Sequence, residues 1–80
     1  MSSETPKPDL RFMMLRKFRD ALARLVAANE ELADASDAFN ALGFADEPLE
    51  SARYREVAAG HRATLANVDK MIAEYQASSN

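Results

Sequence analysis

Apolar residues recur every three or four positions along two long stretches of the chain, which is the spacing of one helix face. The first stretch carries a heptad-like stripe: Leu15, Phe18, Leu22, Leu25, Asn29, Leu32, Ser36 and Phe39. The second carries a stripe of the same spacing: Tyr54, Val57, His61, Leu65, Val68, Ile72 and Tyr75. The pattern predicts one helix over residues 9–42 and a second over residues 47–76.

The segment between the two stretches contains residues that end one helix and begin another. Gly43 can take the left-handed backbone conformation that ends a helix. Asp46 or Glu47 can cap the next helix, and Pro48 is tolerated in its first turn, where an N–H would have no partner. The sequence therefore predicts an all-α fold, a long antiparallel αα-hairpin with its turn at residues 43–46.

The composition limits what surrounds the hairpin. Residues 1–8 are expected to form a disordered leader and residues 78–80 a frayed tail, on a single domain of residues 9–77. The leader lacks the apolar run of a secretory signal, and no stretch approaches the roughly 18 apolar residues of a membrane span. With no cysteine, the chain offers neither disulfides nor thiolate ligands. We expect a cytoplasmic protein without cofactor, metal or small-molecule substrate, and the excess of arginine over lysine suggests a bacterial or phage origin.

The apolar stripe of the first helix is wider than one partner helix can cover. It is flanked on one side by Met14, Ala21, Ala28, Ala35 and Leu42, and on the other by Phe12, Val26 and Ala33. A lone hairpin buries one face per helix, which seldom offsets the conformational entropy of ordering about 65 residues. We therefore predict a homodimer, a four-helix bundle whose core comes from the two stripes. Parallel and antiparallel docking both remain open, as does an obligate complex with another protein.

Two polar residues, Asn29 and His61, lie on the stripes and come together when the chain folds back about its turn. We expect His61 to be a packed or interface histidine, hydrogen-bonded to Asn29, because buried polar groups find partners. A metal site is not expected, since no second histidine or carboxylate lies one turn away on the same face. Asn29 either fixes the register of the bundle or lies at its edge with Ala28 inward.

Charge is divided along the first helix. Its first half is basic, with Arg11, Arg16, Lys17, Arg19 and Arg24. Its second half is acidic, with Glu30, Glu31, Asp34 and Asp37. Antiparallel folding places the acidic half beside Arg53, Arg55 and Arg62, and the basic half beside Asp69 and Glu74. Charge is therefore matched by sign between the helices, which favours the antiparallel arrangement, although solvated faces with incidental pairing are the interpretation we prefer.

The best candidate for partner binding is an apolar cluster at the start of the first helix. It comprises Leu10, Phe12, Met13 and Met14, with Arg16 and Lys17 as a polar rim. Methionine and aromatic side chains suit adaptable protein-binding surfaces, although a place in the dimer core is the interpretation we prefer for this cluster.

The function expected from these features is a non-catalytic interaction protein: an adaptor, chaperone or inhibitor that docks helix faces onto a partner protein. The chain lacks a Gly-rich phosphate loop and a carboxylate pair with a neighbouring base, so an enzyme is not expected. The alternative is a nucleic-acid-binding dimer that uses the basic half of the first helix. The net charge of -3 and the absence of a helix-turn-helix or zinc signature count against it.

Overall fold

A computed structural model of the chain describes residues 9–44 and 46–78. Helix α1 spans Leu10–Ala41 and helix α2 spans Ser51–Ser78, and the two pack against each other along their length. The described residues include no strand, so the predicted all-α hairpin is confirmed. The predicted leader, residues 1–8, and residues 79–80 of the predicted tail lie outside the described residues, whereas Ser78 belongs to α2.

Helix α1 begins and ends where its local sequence predicts. The carboxylate of Asp9 caps the N-terminus by accepting a hydrogen bond from the Arg11 N–H at 2.8 Å. At the other end Gly43 has φ +71°, the left-handed conformation that stops a helix, and its N–H donates to the Asn40 carbonyl at 3.1 Å.

Helix α2 begins at Ser51, four residues later than predicted, so the placement of Pro48 in its first turn and a cap at Asp46 or Glu47 were wrong. The reason is a side-chain clamp across the turn. The Leu49 N–H donates to Asn40 Oδ1 at 2.7 Å, and Asn40 Nδ2 donates to the Leu49 carbonyl at 2.8 Å. Both backbone polar groups of Leu49 are thereby bound to α1, and α2 starts just beyond it.

The two helices meet along regular seven-residue repeats, which we call the hairpin seam. On α1 it consists of Phe12, Leu15, Arg19, Leu22, Val26, Asn29, Ala33, Ser36 and Asn40. On α2 it consists of Ser51, Tyr54, Ala58, His61, Leu65, Val68, Ile72 and Tyr75. Every member is buried or half-buried, and the most deeply buried are small: Ala33, Ala58 and Ser36. At the end of the hairpin opposite the turn, the rings of Phe12 and Tyr75 stack with their centroids 5.1 Å apart and form the last contact of the seam.

The predicted stripes only partly coincide with this seam. Leu15, Leu22, Asn29 and Ser36 belong to it, but Phe18, Leu25, Leu32, Phe39 and Val57 lie outside it and are exposed. The physical reason is that α1 carries two rows of mainly apolar residues on neighbouring faces, and the predicted stripe takes residues from both. Helix α2 packs on the row that contains Val26 and Ala33, whose side chains it leaves 7% and 0% exposed.

Replacing Asn40 by alanine should destabilise the hairpin by about 1–2 kcal/mol, because both hydrogen bonds of the clamp on Leu49 are lost. Urea unfolding followed by circular dichroism at one fixed protein concentration measures the change. Asn67→Ala, at an exposed position of α2, is the matched control and should leave the midpoint nearly unchanged. Equal midpoints for the two variants would contradict a role for the clamp.

Candidate interaction surface

The hairpin is a two-helix ribbon with two chemically different sides. In an antiparallel pair of heptad helices, positions on the same flank of the seam in each helix line the same side of the ribbon. One flank carries charged residues on both helices, and the other carries apolar residues.

The charged side holds the ion pairs between the helices. Three arginines make them: Arg19 binds Asp69 at 2.9 Å, Arg55 binds Asp34 at 3.0 Å and Asp37 at 2.6 Å, and Arg62 binds Glu30. The expected charge matching along the hairpin is therefore confirmed for these residues. Arg53 does not follow the expected charge matching, because its guanidinium binds Glu50, three residues earlier in the chain, at 3.4 Å instead of an acidic residue of α1.

These ion pairs align the helices more than they strengthen the fold. Each side chain keeps more than a third of its surface exposed, so solvent screens each pair and its contribution to the free energy of unfolding is small. Asp37 accepts hydrogen bonds from Ser51 and Arg55, and these lower the pKa of its carboxyl group, the bond from Ser51 having the larger effect. The hydrogen bond to Asp37 raises the pKa of Arg55, and the hydrogen bond to Asp69 raises the pKa of Arg19.

The opposite side of α1 carries a second heptad row, which we call the outer seam. Its members are Met14, Phe18, Ala21, Leu25, Ala28, Leu32, Ala35, Phe39 and Leu42, at alternating spacings of four and three residues. All nine are apolar and all nine are exposed. Phe18, Leu25, Leu32 and Phe39 lie next to α2, yet they remain 39–51% exposed.

Helix α2 extends this apolar surface by one row. Val57 and Met71 lie on the flank that faces the outer seam and are 41% and 53% exposed, with the exposed polar residue Thr64 between them in the same row. The next row outward on α2 is polar: Arg53, Gly60, Asn67 and Glu74. We call the outer seam together with Val57 and Met71 the apolar face of the hairpin.

The predicted partner-binding cluster is divided among three environments. Phe12 belongs to the hairpin seam, where it is half-buried, its ring stacks on Tyr75 and its centroid lies 5.9 Å from the Arg16 guanidinium carbon. Its assignment to a partner-binding surface stays a prediction. Met14 belongs to the outer seam. Leu10 and Met13 belong to neither seam and are 69% and 51% exposed. Arg16 and Lys17 are exposed, as a polar rim requires.

The two polar residues of the stripes both lie in the hairpin seam and are half-buried. His61 therefore lies where α1 and α2 meet, and its role at an interface with a second chain stays a prediction. The Asn29 amide, however, donates to the Leu25 carbonyl one turn earlier in α1, at 2.9 Å, and the expected bond to His61 is not made. Among residues 9–44 and 46–78 no group of three or more histidines and carboxylates is placed to hold a metal ion.

The chain matches no protein-family model, and no curated protein or solved structure shows significant similarity to it. Neither described helix is both long enough and apolar enough to cross a bilayer. The geometry and charge of the two sides of the ribbon are therefore the basis for assigning a function.

Stability should fall in acid partly through Asp37. Its pKa in the folded chain lies below the unfolded value of 3.8, so its contribution is complete above that value and is lost as the pH falls through the folded pKa. Asp37→Asn should therefore lower the unfolding midpoint at pH 7, and the difference from the native chain should shrink below about pH 4. Thermal unfolding by circular dichroism at pH 7 and pH 3 measures both.

Glu56→Gln is the control for this titration, because Glu56 is exposed and takes part in none of the ion pairs of the described residues. Its effect should be small at both pH values. A difference between the native chain and Asp37→Asn that persists unchanged at pH 3 would contradict the role of the ionised carboxylate.

Proposed function

We propose that the chain is a non-catalytic interaction protein that works by docking its apolar face against helices of a partner. The observation that carries the proposal is the outer seam, a complete apolar heptad row on a helix that already packs α2 on another side. The row spans 29 residues from Met14 to Leu42, the residue that caps α1, or about 42 Å along the helix axis. Soluble proteins rarely expose an apolar patch of more than a few hundred Å² unless it binds something.

The same surface supports a homodimer in the form of a four-helix bundle. Each helix of such a bundle contacts two neighbours, at roughly 90° around its axis, and the two seams of α1 lie about a third of a turn apart. A ribbon two helices wide, about 20 Å, with an apolar row about 42 Å long offers roughly 800 Å² per copy. That is the area of a stable protein interface.

The hairpin by itself buries little apolar surface. The buried apolar side chains of the described residues are Leu22, Val26, Ala33, Ala58 and Val68, and two of these are alanines. So small a core needs help from association, a disulfide or a metal, and the chain has no cysteine. Covering the apolar face would therefore stabilise the fold as well as join two molecules.

Dimerisation through the apolar face leaves Leu10 and Met13 uncovered at the start of α1. These side chains are the surface through which an adaptor, chaperone or inhibitor would contact a second protein. The nucleic-acid alternative has less support, because Arg19 is bound to Asp69 and Arg16 lies over Phe12. The cytoplasmic location and the bacterial or phage origin stay predictions.

Leu32→Asp should dissociate the assembly, because it places a carboxylate inside the docked apolar face at a cost of several kcal/mol. Light scattering across a dilution series should give a dimer for the native chain and a monomer of reduced helicity for the variant. Circular dichroism on the same samples measures the helicity.

Met13→Asp is the matched control, since Met13 is equally exposed on α1 but lies outside both seams. It should keep the dimer mass and the helicity of the native chain. A native chain that remains a folded monomer at low micromolar concentration, or a Leu32→Asp chain that assembles like the native one, would contradict the dimer.

A further inference from the structure

We infer that the helix covering the outer seam is α1 of a second copy of this chain, antiparallel to the first about a two-fold axis at Ala28. The inference rests on the proposed function and deepens it, since it names the occupant of the apolar face and its direction. Three observations carry it: the order of side chains in the outer seam, the charges beside the seam and the polar character of the alternative surface on α2.

The outer seam is nearly palindromic about Ala28. Similar side chains lie on either side at distances from Ala28 that are equal or differ by one residue: Leu25 with Leu32, Ala21 with Ala35, Phe18 with Phe39, and Met14 with Leu42. In a two-fold symmetric interface each residue contacts the partner's copy of its counterpart, and the reciprocal contact is identical. An antiparallel pair centred on Ala28 therefore brings large residues level with large ones and alanines level with alanines.

The charges beside the outer seam are complementary about the same axis. Arg24 precedes Ala28 by four residues and Glu31 follows it by three, and both lie on the exposed flank of the seam. Neither takes part in an ion pair among the described residues. Antiparallel docking places Arg24 beside the partner's Glu31, and symmetry makes the contact twice. Parallel docking would align Arg24 with the partner's Arg24, which is repulsive.

Helix α2 of the second copy fits the outer seam less well. The equivalent positions of α2 are all exposed, and only two of the seven carry large apolar side chains: Arg53, Val57, Gly60, Thr64, Asn67, Met71 and Glu74. Packing these positions against Leu25 and Leu32 would desolvate charged and polar groups with little apolar compensation. Pairing α1 with α1 covers apolar side chains with apolar side chains over about 42 Å.

Single cysteines test the axis directly, because the native chain contains none. Ala28→Cys should form an intermolecular disulfide in most molecules under mild oxidation, as resolved by non-reducing electrophoresis. A disulfide needs Cα atoms about 4.4–6.8 Å apart, which residue 28 reaches only near the two-fold axis. Ala27→Cys, also exposed but on the other side of α1, is the control and should remain monomeric on the gel.

A mixture of Ala21→Cys and Ala35→Cys chains tests the direction. Antiparallel docking predicts a mixed disulfide between the two variants and almost none within either alone, because identical residues would be about 21 Å apart. Cross-linking of Ala21→Cys with itself would show parallel docking and overturn the inference.

Charge reversal gives an independent test that does not depend on oxidation. Arg24→Glu should weaken the dimer about tenfold at low salt, because it turns two attractive contacts into repulsive ones. Adding Glu31→Arg should restore the native dissociation constant. Lys70→Glu, exposed on α2 away from the apolar face, should change it little. If the double variant forms a dimer no tighter than that of Arg24→Glu alone, the proposed pairing of Arg24 with the partner's Glu31 is overturned.

The outcomes separate this inference from the proposed function. A native dimer that is dissociated by Leu32→Asp but lacks the residue 28 disulfide would retain the interaction surface and overturn the antiparallel α1 pair. A native chain that is monomeric at low micromolar concentration would overturn both. A disulfide at residue 28 together with charge rescue supports the two-fold pair.

Discussion

The packing of α2 against one of two apolar rows on α1 is the interaction on which the rest of the structure depends. A helix can present only part of its circumference to one neighbour, so a second row is left uncovered once the first is used. In this chain the buried row contains small residues such as Ala33 and Ser36, opposite Ala58. The row left exposed retains the larger side chains Phe18, Leu25, Leu32 and Phe39. The surface proposed for docking is thus a direct consequence of how the hairpin closes.

Two sets of weak contacts, a pair of hydrogen bonds at the turn and the ion pairs between the helices, determine which row is buried. The clamp between Asn40 and Leu49 sets where the chain re-enters helix, and so sets the register at the turn. The ion pairs of Arg19, Arg55 and Arg62 hold the same register along the length of the hairpin. Each exposed contact contributes little to the free energy of unfolding. All of them form only in one alignment of α1 and α2, so a shift of one helix along the other would break them together.

Folding and association are expected to be coupled in this molecule. The seam between α1 and α2 is built largely from half-buried and small side chains, so its apolar stabilisation is modest. A partner that binds only the folded hairpin shifts the unfolding equilibrium by mass action. Burial of the apolar face by the proposed partner would therefore supply stability that the two helices do not supply to each other, and a change on that face should alter both properties.

The sequence by itself determined the two helices, the stop at Gly43 and the sign of the charges that meet across the hairpin, because these depend on neighbours within one turn or on the order of the helices. Only the tertiary structure decided which apolar row of α1 faces α2, where α2 begins, and that Phe12 packs inward while Val57 stays exposed. The predicted stripe takes Leu15, Leu22, Asn29 and Ser36 from the hairpin seam and its other four members from the outer seam, so periodicity alone does not distinguish the two rows. The choice depends on the packing of small side chains such as Ala33 and Ala58 and on the Asn40 side chain that reaches across the turn to Leu49, and neither is a local property of the sequence.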